Sequence, residues 1–544
     1  MRKSWNRFIC AALATAQLLS LASCGSKIAE PEVHTIDDKY RTFYEVFVYS
    51  FADGDGDRIG DFKGLSEKLD YISDGDDATS EDLGANGIWL MPIMPSPTYH
   101  KYDVKDYMAI DPQYGSLDDF KNFMQECEKR DIHVIIDLVM NHTSAQHPWF
   151  TQACEYLRNL PEGEEPSLED CPYVGYYHFS REQGPAYYKV AGSDWYYEGK
   201  FWDQMPDLDL FNEDVRAEFD QIVDFWFDLG VSGFRLDAVK EFESDNTTKN
   251  VEILTWFNDM VKSKKEDAYI VGEAWTGAST YAEYYASGID SLFDFQFGDS
   301  KGIIANSVKH VNNMNARSYA NAVVKEQDLF AGYNADYINA PFYTNHDMAR
   351  SCGYYFTPGV EEVQTKVAQA LNLLMTGNVF LYYGEELGMK GSGKDENKRL
   401  AMYWSEDSSA QYMCRGPVDA DKVAQKYPSL EIQKENPQSI YNYVKKAIRI
   451  RNTYPAIGRG LNEVVEEWTT DDICAIKKTY GEEEIILVFN LSDTEQTIDL
   501  SRVTLAGNRL SAKNITSKLM TTESDITVNQ STVTLPAYSV IVVK

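Results

Sequence analysis

Short apolar runs alternate with amphipathic helical segments through most of residues 43–460, and this alternation is the feature that most constrains the fold. The strand-like runs cover residues 44–51, 87–93, 133–139, 231–237, 269–273, 291–297, 337–343 and 378–383. A continuous run such as His133-Val-Ile-Ile-Asp-Leu-Val139 is typical of a strand buried in a parallel sheet. Eight such strands alternating with helices predict an α/β chain folded as a (β/α)8 TIM barrel, whose chemistry lies at the C-terminal ends of the strands.

The segments between the runs carry helix signals. Ser116 and Asp119 have the spacing of a capping box, and apolar residues follow at helical intervals. Asn212 can cap a later helix, which Gly230 ends just before the next strand-like run. Helices are therefore expected where the barrel requires them.

Two regions interrupt the alternation and set the domain organisation. Residues 143–211 are too long for a barrel loop and rich in aromatic residues, which predicts a small inserted domain after the third strand, beside the mouth. From residue 461 the pattern changes to short alternating strands, so residues 461–544 are predicted to form a C-terminal β-sandwich. The barrel is assigned to residues 43–142 and 212–460.

Residues 1–24 have the features of a targeting segment. A positively charged start precedes an apolar stretch that is too short for a convincing transmembrane anchor. The end, Leu21-Ala22-Ser23-Cys24, resembles the lipidation box of bacterial lipoproteins. This resemblance implies a lipoprotein signal peptide, a lipid on Cys24, a polar tether over residues 25–42, and anchoring on the extracellular face of the cell or outer membrane. The alternative is an ordinary signal peptide.

The formal net charge of −34 limits the partners. Nucleic acids require a basic face, so they are excluded as ligands. A neutral glycan is compatible with an acidic protein, and 36 tyrosines and 10 tryptophans offer faces on which sugars can stack. We expect the protein to be a monomer.

The six cysteines that follow Cys24 are far apart and contain no CxxC pair, so the sequence predicts no zinc site. Cys154 and Cys171 are the only short-range disulfide candidates, and the unpaired state is favoured. Cys127 lies on an apolar helical face and is expected to be buried and free.

Three carboxylates, Asp237, Glu273 and Asp347, stand where strand-like runs break off into loops. Taken singly, such an acid is more often a helix cap or a hydrogen-bond acceptor in a loop. Acids at the ends of several strands of one barrel can instead converge on a single mouth. Convergent carboxylates are what a glycoside hydrolase uses.

Residues 53–61 place an oxygen donor at every second position of a glycine-rich turn. Such a pattern can wrap a hard cation, because closely spaced carboxylates repel one another without one. It is not an EF-hand, since Arg58 replaces the glycine at position six and Gly64 the glutamate at position twelve. We predict a structural Ca²⁺ site, with a simple polar turn as the alternative. The predicted ligands are Asp53, Asp55, Asp57, Asp61 and the carbonyl of Ile59.

Seven motifs resemble those of the α-amylase family of glycoside hydrolases over nearly the whole mature chain. Four lie at predicted strand ends: DLVMNH (137–142), GFRLDAVK (233–240), VGEAW (271–275) and TNHD (344–347). Three supporting motifs are YHKYDVKDY (99–107), MPDLDL (205–210) and GNVFLYYGEELGM (377–389). One such motif would be weak evidence for the family, but seven motifs in the same order are specific to it.

The resemblance implies a role for each strand-end acid. Asp237 would be the nucleophile that forms a covalent glycosyl-enzyme, and Glu273 the general acid and then base. Asp347 would bind sugar hydroxyls and favour the distorted, oxocarbenium-like ring. Arg235, two residues before Asp237, points to the same side of the strand and would keep the nucleophile ionised. The charge of Asp237 would raise the pKa of Glu273.

Further substrate-binding residues follow from the same resemblance. Tyr102 would stack under the sugar that is cleaved, and Arg399 would orient Asp347 or the substrate. The residues at the matching positions that would grip sugar hydroxyls are His142, Lys240 and His346. The alternative for the histidines is a hydrogen bond to the backbone, and the alternative for Tyr102 is packing alone.

Some positions depart from the family pattern. Glu241 replaces a histidine whose carbonyl contributes to a second calcium site together with Asn141, so that site is in doubt. Asp209 stands where asparagine is commoner, and Lys101 replaces a common glycine. Ala238 resembles members that cleave α-1,4 bonds.

These features predict a retaining, endo-acting α-1,4-glucan hydrolase, an α-amylase that degrades starch and maltodextrins. Enzymes of the same fold are the near alternatives: an α-glucosidase, a neopullulanase-like enzyme or a transglycosylase. A non-catalytic glycan-binding lipoprotein is the alternative from another class, and it is disfavoured because all three strand-end carboxylates are present.

Overall fold

The computed structural model describes residues 31–33, 35–161, 163–244 and 246–544. The predicted signal peptide, the lipidation residue Cys24 and residues 25–30 of the tether lie outside these ranges. None of the helices in the described ranges has both the length and the hydrophobicity that a bilayer span requires.

A curled parallel sheet forms the centre of the molecule. Its seven strands pair in parallel in the order Val379–Tyr382, Thr42–Val46, Gly87–Leu90, His133–Leu138, Gly233–Leu236, Tyr269–Gly272 and Ser291–Leu292. Two isolated parallel bridges, Phe293 with Ala340 and Phe342 with Phe380, join the two edges of this sheet through residues 340–342. The segment 340–342 therefore stands in the place of the eighth strand, and the TIM-barrel prediction is confirmed.

Several strands are shorter than the apolar runs that predicted them, and the runs 44–51 and 291–297 are two examples. The run 44–51 covers only the end of the strand Thr42–Val46 and then a helical turn, Val48–Phe51. The run 291–297 is a strand only at Ser291–Leu292. Both runs are almost entirely buried, so their apolar character reports burial at the barrel rim rather than extended backbone.

Helices surround the sheet and cover its outer face. The α-helices of the described residues, including Pro148–Asn159 of the region inserted after the third strand, are Val48–Phe51, Phe62–Glu67, Leu69–Ile72, Leu117–Glu128, Pro148–Asn159, Glu213–Asp228, Thr247–Lys264, Ala278–Tyr281, Ile303–Lys309, Ala316–Ala331, Glu361–Leu373, Asp395–Lys398, Leu430–Glu435, Ile440–Thr453 and Pro455–Arg459. The predicted capping box is present. The Ser116 side chain accepts a hydrogen bond from the Asp119 N–H, and the Asp119 carboxylate accepts one from the Ser116 N–H. Asn212 caps the helix Glu213–Asp228 as expected.

Residues 143–211 form a small unit beside the mouth. It contains the helix Pro148–Asn159, the 3-10 helix Pro172–Tyr176 and a three-stranded sheet of Phe179–Ser180, Tyr196–Glu198 and Tyr187–Lys189. The Leu208 N–H donates to the Asn141 carbonyl at 2.9 Å, and an isolated bridge pairs His142 with Asp207. The unit is thereby attached directly to the end of the third barrel strand.

The C-terminal unit contains two main antiparallel sheets. The larger has the order Leu461–Val464, Ile473–Tyr480, Glu483–Asn490, Val540–Val543 and Ile515–Leu519. The smaller has the order Gln496–Asp499, Thr532–Leu535 and Thr527–Asn529, and a hairpin joins Thr504–Leu505 to Asn508–Arg509.

The larger C-terminal sheet is apolar on both faces. Ile473 and Ala475 belong to the core between the two sheets, whereas Cys474 and Ile476 belong to the core shared with the barrel. Successive residues of a strand point to opposite faces, so one sheet serves both cores. This two-sided burial fixes the C-terminal unit against the barrel.

The cysteines of the described residues are buried and free. They include Cys154 and Cys171, so the short-range disulfide does not form, and Cys127 is buried as predicted.

Candidate active site

Arg235 is the centre of a carboxylate cluster at the mouth of the barrel. Its Nη1 donates to Asp137 Oδ1 at 2.8 Å and to Asp237 Oδ1 at 2.6 Å, and its Nη2 lies 2.9 Å from Glu273 Oε2. Arg235 and Asp137 are register partners on adjacent strands, and the guanidinium is fully buried. One cation therefore holds acids from three neighbouring strands together.

Glu273 is buried, and its environment favours the protonated form. Its Oε2 accepts the Ala238 N–H at 3.1 Å, from the residue that follows Asp237. Burial, aided by the negative charges of Asp237 and Asp347 and opposed by Arg235, raises the pKa of Glu273 to about 7. Burial is the larger cause, whereas the sequence pointed to the charge of Asp237.

Asp347 has the opposite environment. Its Oδ1 accepts from Arg399 Nη2 at 2.8 Å, and its Oδ2 lies 3.2 Å from His346 Nε2. Burial opposes ionisation, but the positive charges of His346, Arg399 and Arg235 hold the pKa of Asp347 well below its usual range. Asp347 is thus a permanent anion at the rim of the site, where its side chain is 31% exposed.

His346 is held as a cation between two carboxylates. Its Nδ1 lies 2.6 Å from Glu45 Oε1, at the end of the first strand. Burial lowers its pKa, but the charges of Asp347 and Glu45 outweigh this and raise the pKa to about 9. The imidazolium can therefore donate from both nitrogens.

Tyr102 is packed into the same cluster. Its hydroxyl donates to Asp137 Oδ2 at 3.0 Å and lies 2.7 Å from His346 Nε2. Its ring is stacked on the His346 ring at a centroid distance of 5.5 Å. His142 also contacts this residue, with its Nε2 3.2 Å from the Tyr102 carbonyl oxygen. Burial lowers the pKa of His142.

Lys240 differs from the other predicted site residues. Its ammonium lies 2.9 Å from Glu241 Oε1, and its side chain is partly exposed. Glu241 also pairs with Lys200 of the inserted unit at 3.1 Å. The ion pair of Lys240 with Glu241 thus lies in the link between the inserted unit and the loop after Asp237.

The structure adds polar residues that the sequence reasoning did not select. Asp137 and Glu45 are buried acids inside strand-like runs, a placement that could have indicated them. Asp395 accepts from Arg399 Nη1 at 2.5 Å and from the Tyr99 hydroxyl at 2.7 Å. It thereby orients the arginine that holds Asp347.

Trp275 is an aromatic residue that the sequence reasoning left without a role. It follows Glu273 by two positions, is 51% exposed, and stacks on Phe295 at 5.2 Å. In the inserted unit, Phe201 is 49% exposed and its ring lies 5.2 Å from that of His142. Exposed aromatic faces beside the carboxylates can stack on sugar rings.

The acidic turn brings three of its predicted ligands together. Carboxylate oxygens of Asp53, Asp55 and Asp61 lie within 4.8 Å of one another. Asp57 is not in this group, and its Oδ1 instead accepts the Ile59 N–H at 2.7 Å. The assignment of Asp57 and of the Ile59 carbonyl as ligands stays a prediction.

A second group of oxygen and nitrogen donors lies between the inserted unit and the loop after Asp237. His178, Asp209 and Glu243 have ligand atoms within 4.8 Å of one another. Glu243 already pairs with Lys249 at 2.9 Å. At the doubtful calcium position, Asn141 Nδ2 donates to Asp207 at 3.1 Å.

Comparison with known proteins decides the family. The family model described as "Alpha amylase, catalytic domain" matches residues 45–460, and the model described as "Alpha-amylase SusG C-terminal domain" matches residues 473–542. The chain belongs to the α-amylase family of glycoside hydrolases. It is a glycoside hydrolase, with a C-terminal β domain of the SusG type.

Relatives within the α-amylase family carry more than one named activity. Alpha-amylase 3 of Dictyoglomus thermophilum is 37% identical over 85% of this chain and 87% of its own length. A glucan 1,6-alpha-glucosidase of Streptococcus pneumoniae is 28% identical over 84% of this chain and 91% of its own.

Solved structures of α-amylase family members superpose closely on this chain. Eubacterium rectale Amy13B has a TM-score of 0.90 at 50% identity, covering 94% of this chain and 97% of its own. The alpha-amylase from H. orenii has a TM-score of 0.79 at 32% identity, covering 93% of this chain and 99% of its own.

Proposed function

We propose that this protein is an endo-acting, retaining α-1,4-glucan hydrolase that degrades starch and maltodextrins. The observation that carries the proposal is the single Arg235 guanidinium that contacts both Asp237 and Glu273. Retention requires the nucleophile and the acid to be close together, and a shared cation holds them so.

In the first step, Asp237 attacks the anomeric carbon and displaces the leaving sugar. Glu273 gives its proton to the glycosidic oxygen as that bond breaks, which yields a glycosyl ester on Asp237. Glu273, now a carboxylate, takes a proton from water, and the water oxygen attacks the anomeric carbon. Asp237 leaves, and the product keeps the α-configuration.

The electrostatics of the site divide these tasks. Burial gives Glu273 a pKa of about 7, so a large fraction of the enzyme carries the proton near neutral pH, as a general acid requires. Asp347, paired with Arg399 and His346, stays ionised. It would bind hydroxyls of the sugar and stabilise the positive charge that develops on the ring. Tyr102 and His142 would line the same sugar.

The substrate assignment depends on Ala238 and on the relatives. Ala238 matches members that cleave α-1,4 bonds, and the relatives named alpha-amylase include one at 37% identity. The 28% identity to a glucan 1,6-alpha-glucosidase supports an α-1,6-acting enzyme as the second candidate. Exposed Trp275 and Phe201 favour a long glucan, since each can stack on a further sugar.

The acidic turn fits Ca²⁺, because three carboxylates converge there and hard cations prefer oxygen ligands. Asp53, Asp55 and Asp61 would hold the ion, with Asp57 and the Ile59 carbonyl as the remaining predicted donors. Backbone N–H groups already donate hydrogen bonds to carboxylates of this turn. For example, the Arg58 N–H donates to Asp53 Oδ2 at 2.8 Å. The ion would stabilise the turn and take no part in bond cleavage.

We also propose that the mature chain is anchored through a lipid on Cys24 at the outside of a bacterial cell or outer membrane. The support is the sequence of residues 21–24. Metabolic labelling with a radioactive fatty acid tests it: the wild type should carry label and Cys24→Ser should not.

Product analysis tests the catalytic proposal. Incubation with starch should release mixed maltooligosaccharides as the α-anomer, whereas pullulan and isomaltose should be poor substrates. Early release of the β-anomer would contradict retention, and release of glucose alone from chain ends would contradict endo action. Unchanged starch hydrolysis by Asp237→Asn would overturn the mechanism.

A further inference from the structure

Lys101 has a backbone conformation that side chains rarely adopt. Its φ is +67°, in the left-handed region that favours glycine, yet the residue is a lysine and is 2% exposed. A strained residue persists only where its surroundings hold it in place. The contacts of its side chain show what holds this one.

The Lys101 ammonium is enclosed by acceptors. Nζ lies 2.8 Å from Asp111 Oδ2 and donates to Gln113 Oε1 at 2.7 Å. It also lies 5.5 Å from the centre of the Tyr114 ring. Both side chains of the ion pair are almost fully buried, so the loss of either one leaves an unpaired buried charge.

Asp111 joins two parts of the loop over residues 96–103. The carboxylate oxygen that pairs with Lys101 also accepts the Ser96 N–H at 3.2 Å. The Ser96 hydroxyl donates in turn to Asp103 Oδ1 at 2.6 Å. The buried ion pair therefore connects Lys101 to Ser96 through Asp111, and Ser96 in turn bonds to Asp103 at the end of the loop.

Tyr102 and Tyr99, which lie close to Lys101 in the chain, contact residues of the candidate active site. Tyr102 contacts Asp137 and His346 through its hydroxyl. The Tyr99 hydroxyl accepts from Arg399 Nη1 at 3.2 Å. With the left-handed turn at residue 101, the lysine side chain lies against Asp111, while the side chain of Tyr102 lies in the candidate active site.

We propose that Lys101 is a positioning residue, whose buried ion pair with Asp111 fixes the turn that aims Tyr102 into the catalytic cluster. The inference rests on the catalytic roles proposed above for that cluster. Tyr102 would support the sugar as its ring distorts, so misplacement of Tyr102 should slow the chemical step more than it weakens substrate binding.

Three substitutions at Lys101 separate the effect of the side-chain charge from the effect of the backbone conformation. Lys101→Met removes the ammonium and keeps most of the side chain, and Lys101→Gly relieves the left-handed strain but also removes the ion pair. Both should lower kcat about tenfold with KM within about twofold, since small misplacements are costly to rate. Lys101→Arg keeps the charge and should retain most of kcat.

A buried lysine elsewhere provides the control. Lys366 is also 2% exposed and pairs with Glu362 at 2.7 Å, on the helix Glu361–Leu373 that faces the C-terminal unit. Lys366→Met should lower the melting temperature and leave kcat and KM unchanged when assayed well below that temperature. An equal loss of kcat in Lys366→Met would assign the effect to stability and overturn the proposal.

The assay uses a chromogenic α-linked maltooligosaccharide, with Asp237→Asn as the baseline. The proposal is also overturned if Lys101→Met and Lys101→Gly both keep kcat within about twofold of the wild type. If the methionine variant does not fold, the glycine variant decides the question, because its backbone conformation is unstrained. An inactive wild type would instead count against the proposed function, so the two failures are distinguishable.

Discussion

The guanidinium of Arg235 lies 2.9 Å from Glu273, so a permanent positive charge faces the carboxyl that carries the proton in the proposed mechanism. This charge lowers the pKa of Glu273, while burial and the neighbouring acids raise it. The balance at about 7 places the acid at the boundary between its two forms near neutral pH. The cation thus opposes the effect of burial on the pKa of Glu273.

The first prediction concerns pH. Because the pKa of Glu273 is raised from 4.5 to about 7, the protonated acid is present below that value and is lost as the pH rises through it. The alkaline limb of kcat/KM should therefore have a midpoint near 7. A pH profile on maltoheptaose measures this. A plateau that extends unchanged to pH 9 would be inconsistent with the assignment of Glu273 as the acid.

The second prediction concerns Arg399. Arg399→Met removes the cation 2.8 Å from Asp347 and should lower kcat about 100-fold, the lower end of the range expected when a preorganised electrostatic contact is lost. The control is Arg317→Met, which breaks the exposed pair with Glu466 and should leave kcat unchanged. Steady-state kinetics of both variants, with melting temperatures, make the comparison. Similar kcat in the two variants would refute the role of Arg399.

The third prediction concerns Trp275. If its exposed face binds an additional sugar, Trp275→Ala should raise KM for long maltooligosaccharides several-fold, because stacking on an aromatic ring is lost. The shortest cleaved substrate should be affected less. Tyr480→Ala, an exposed aromatic on the C-terminal sheet, serves as the matched control and should not change KM. A length-independent effect would show that Trp275 acts on something other than subsite binding.

The fourth prediction concerns the acidic turn. A chelator should lower the melting temperature of the wild type by several degrees, since an ion bound only by the folded state contributes about 3–4 kcal/mol when present at 100 to 1,000 times its dissociation constant. Asp53→Asn should lower the melting temperature and abolish the response to chelator. Asp57→Asn should retain much of the response, because Asp57 lies outside the converged group. Scanning calorimetry with added Ca²⁺ provides the measurement, and a chelator response in Asp53→Asn equal to that of the wild type would remove the turn as the site.

The three strand-end acids illustrate what local sequence can predict. Asp237, Glu273 and Asp347 stand directly after apolar runs, and parallel strands of a barrel bring such positions to one face. Their convergence therefore follows from the order of strands and helices alone. The length of the individual strands does not, because buried rim residues such as Phe47 and Val48 are apolar without being extended.

Other features depend on contacts between residues that are far apart in the chain. Glu45 and His346 are 301 positions apart, and their 2.6 Å contact exists only once the barrel closes. The pairing of Lys101 with Asp111 is nearer in sequence, but neither the burial of this ion pair nor the positive φ of the lysine can be read from the residue order alone.

The sequence by itself determined the barrel and the C-terminal β domain, because hydrophobic periodicity and motif order are local properties. It also predicted an inserted unit and the roles of the strand-end acids. Tertiary structure decided which acid is protonated and which is a fixed anion. That distinction arises from burial and from the positions of Arg235, His346 and Arg399, which are set by packing between distant strands and loops.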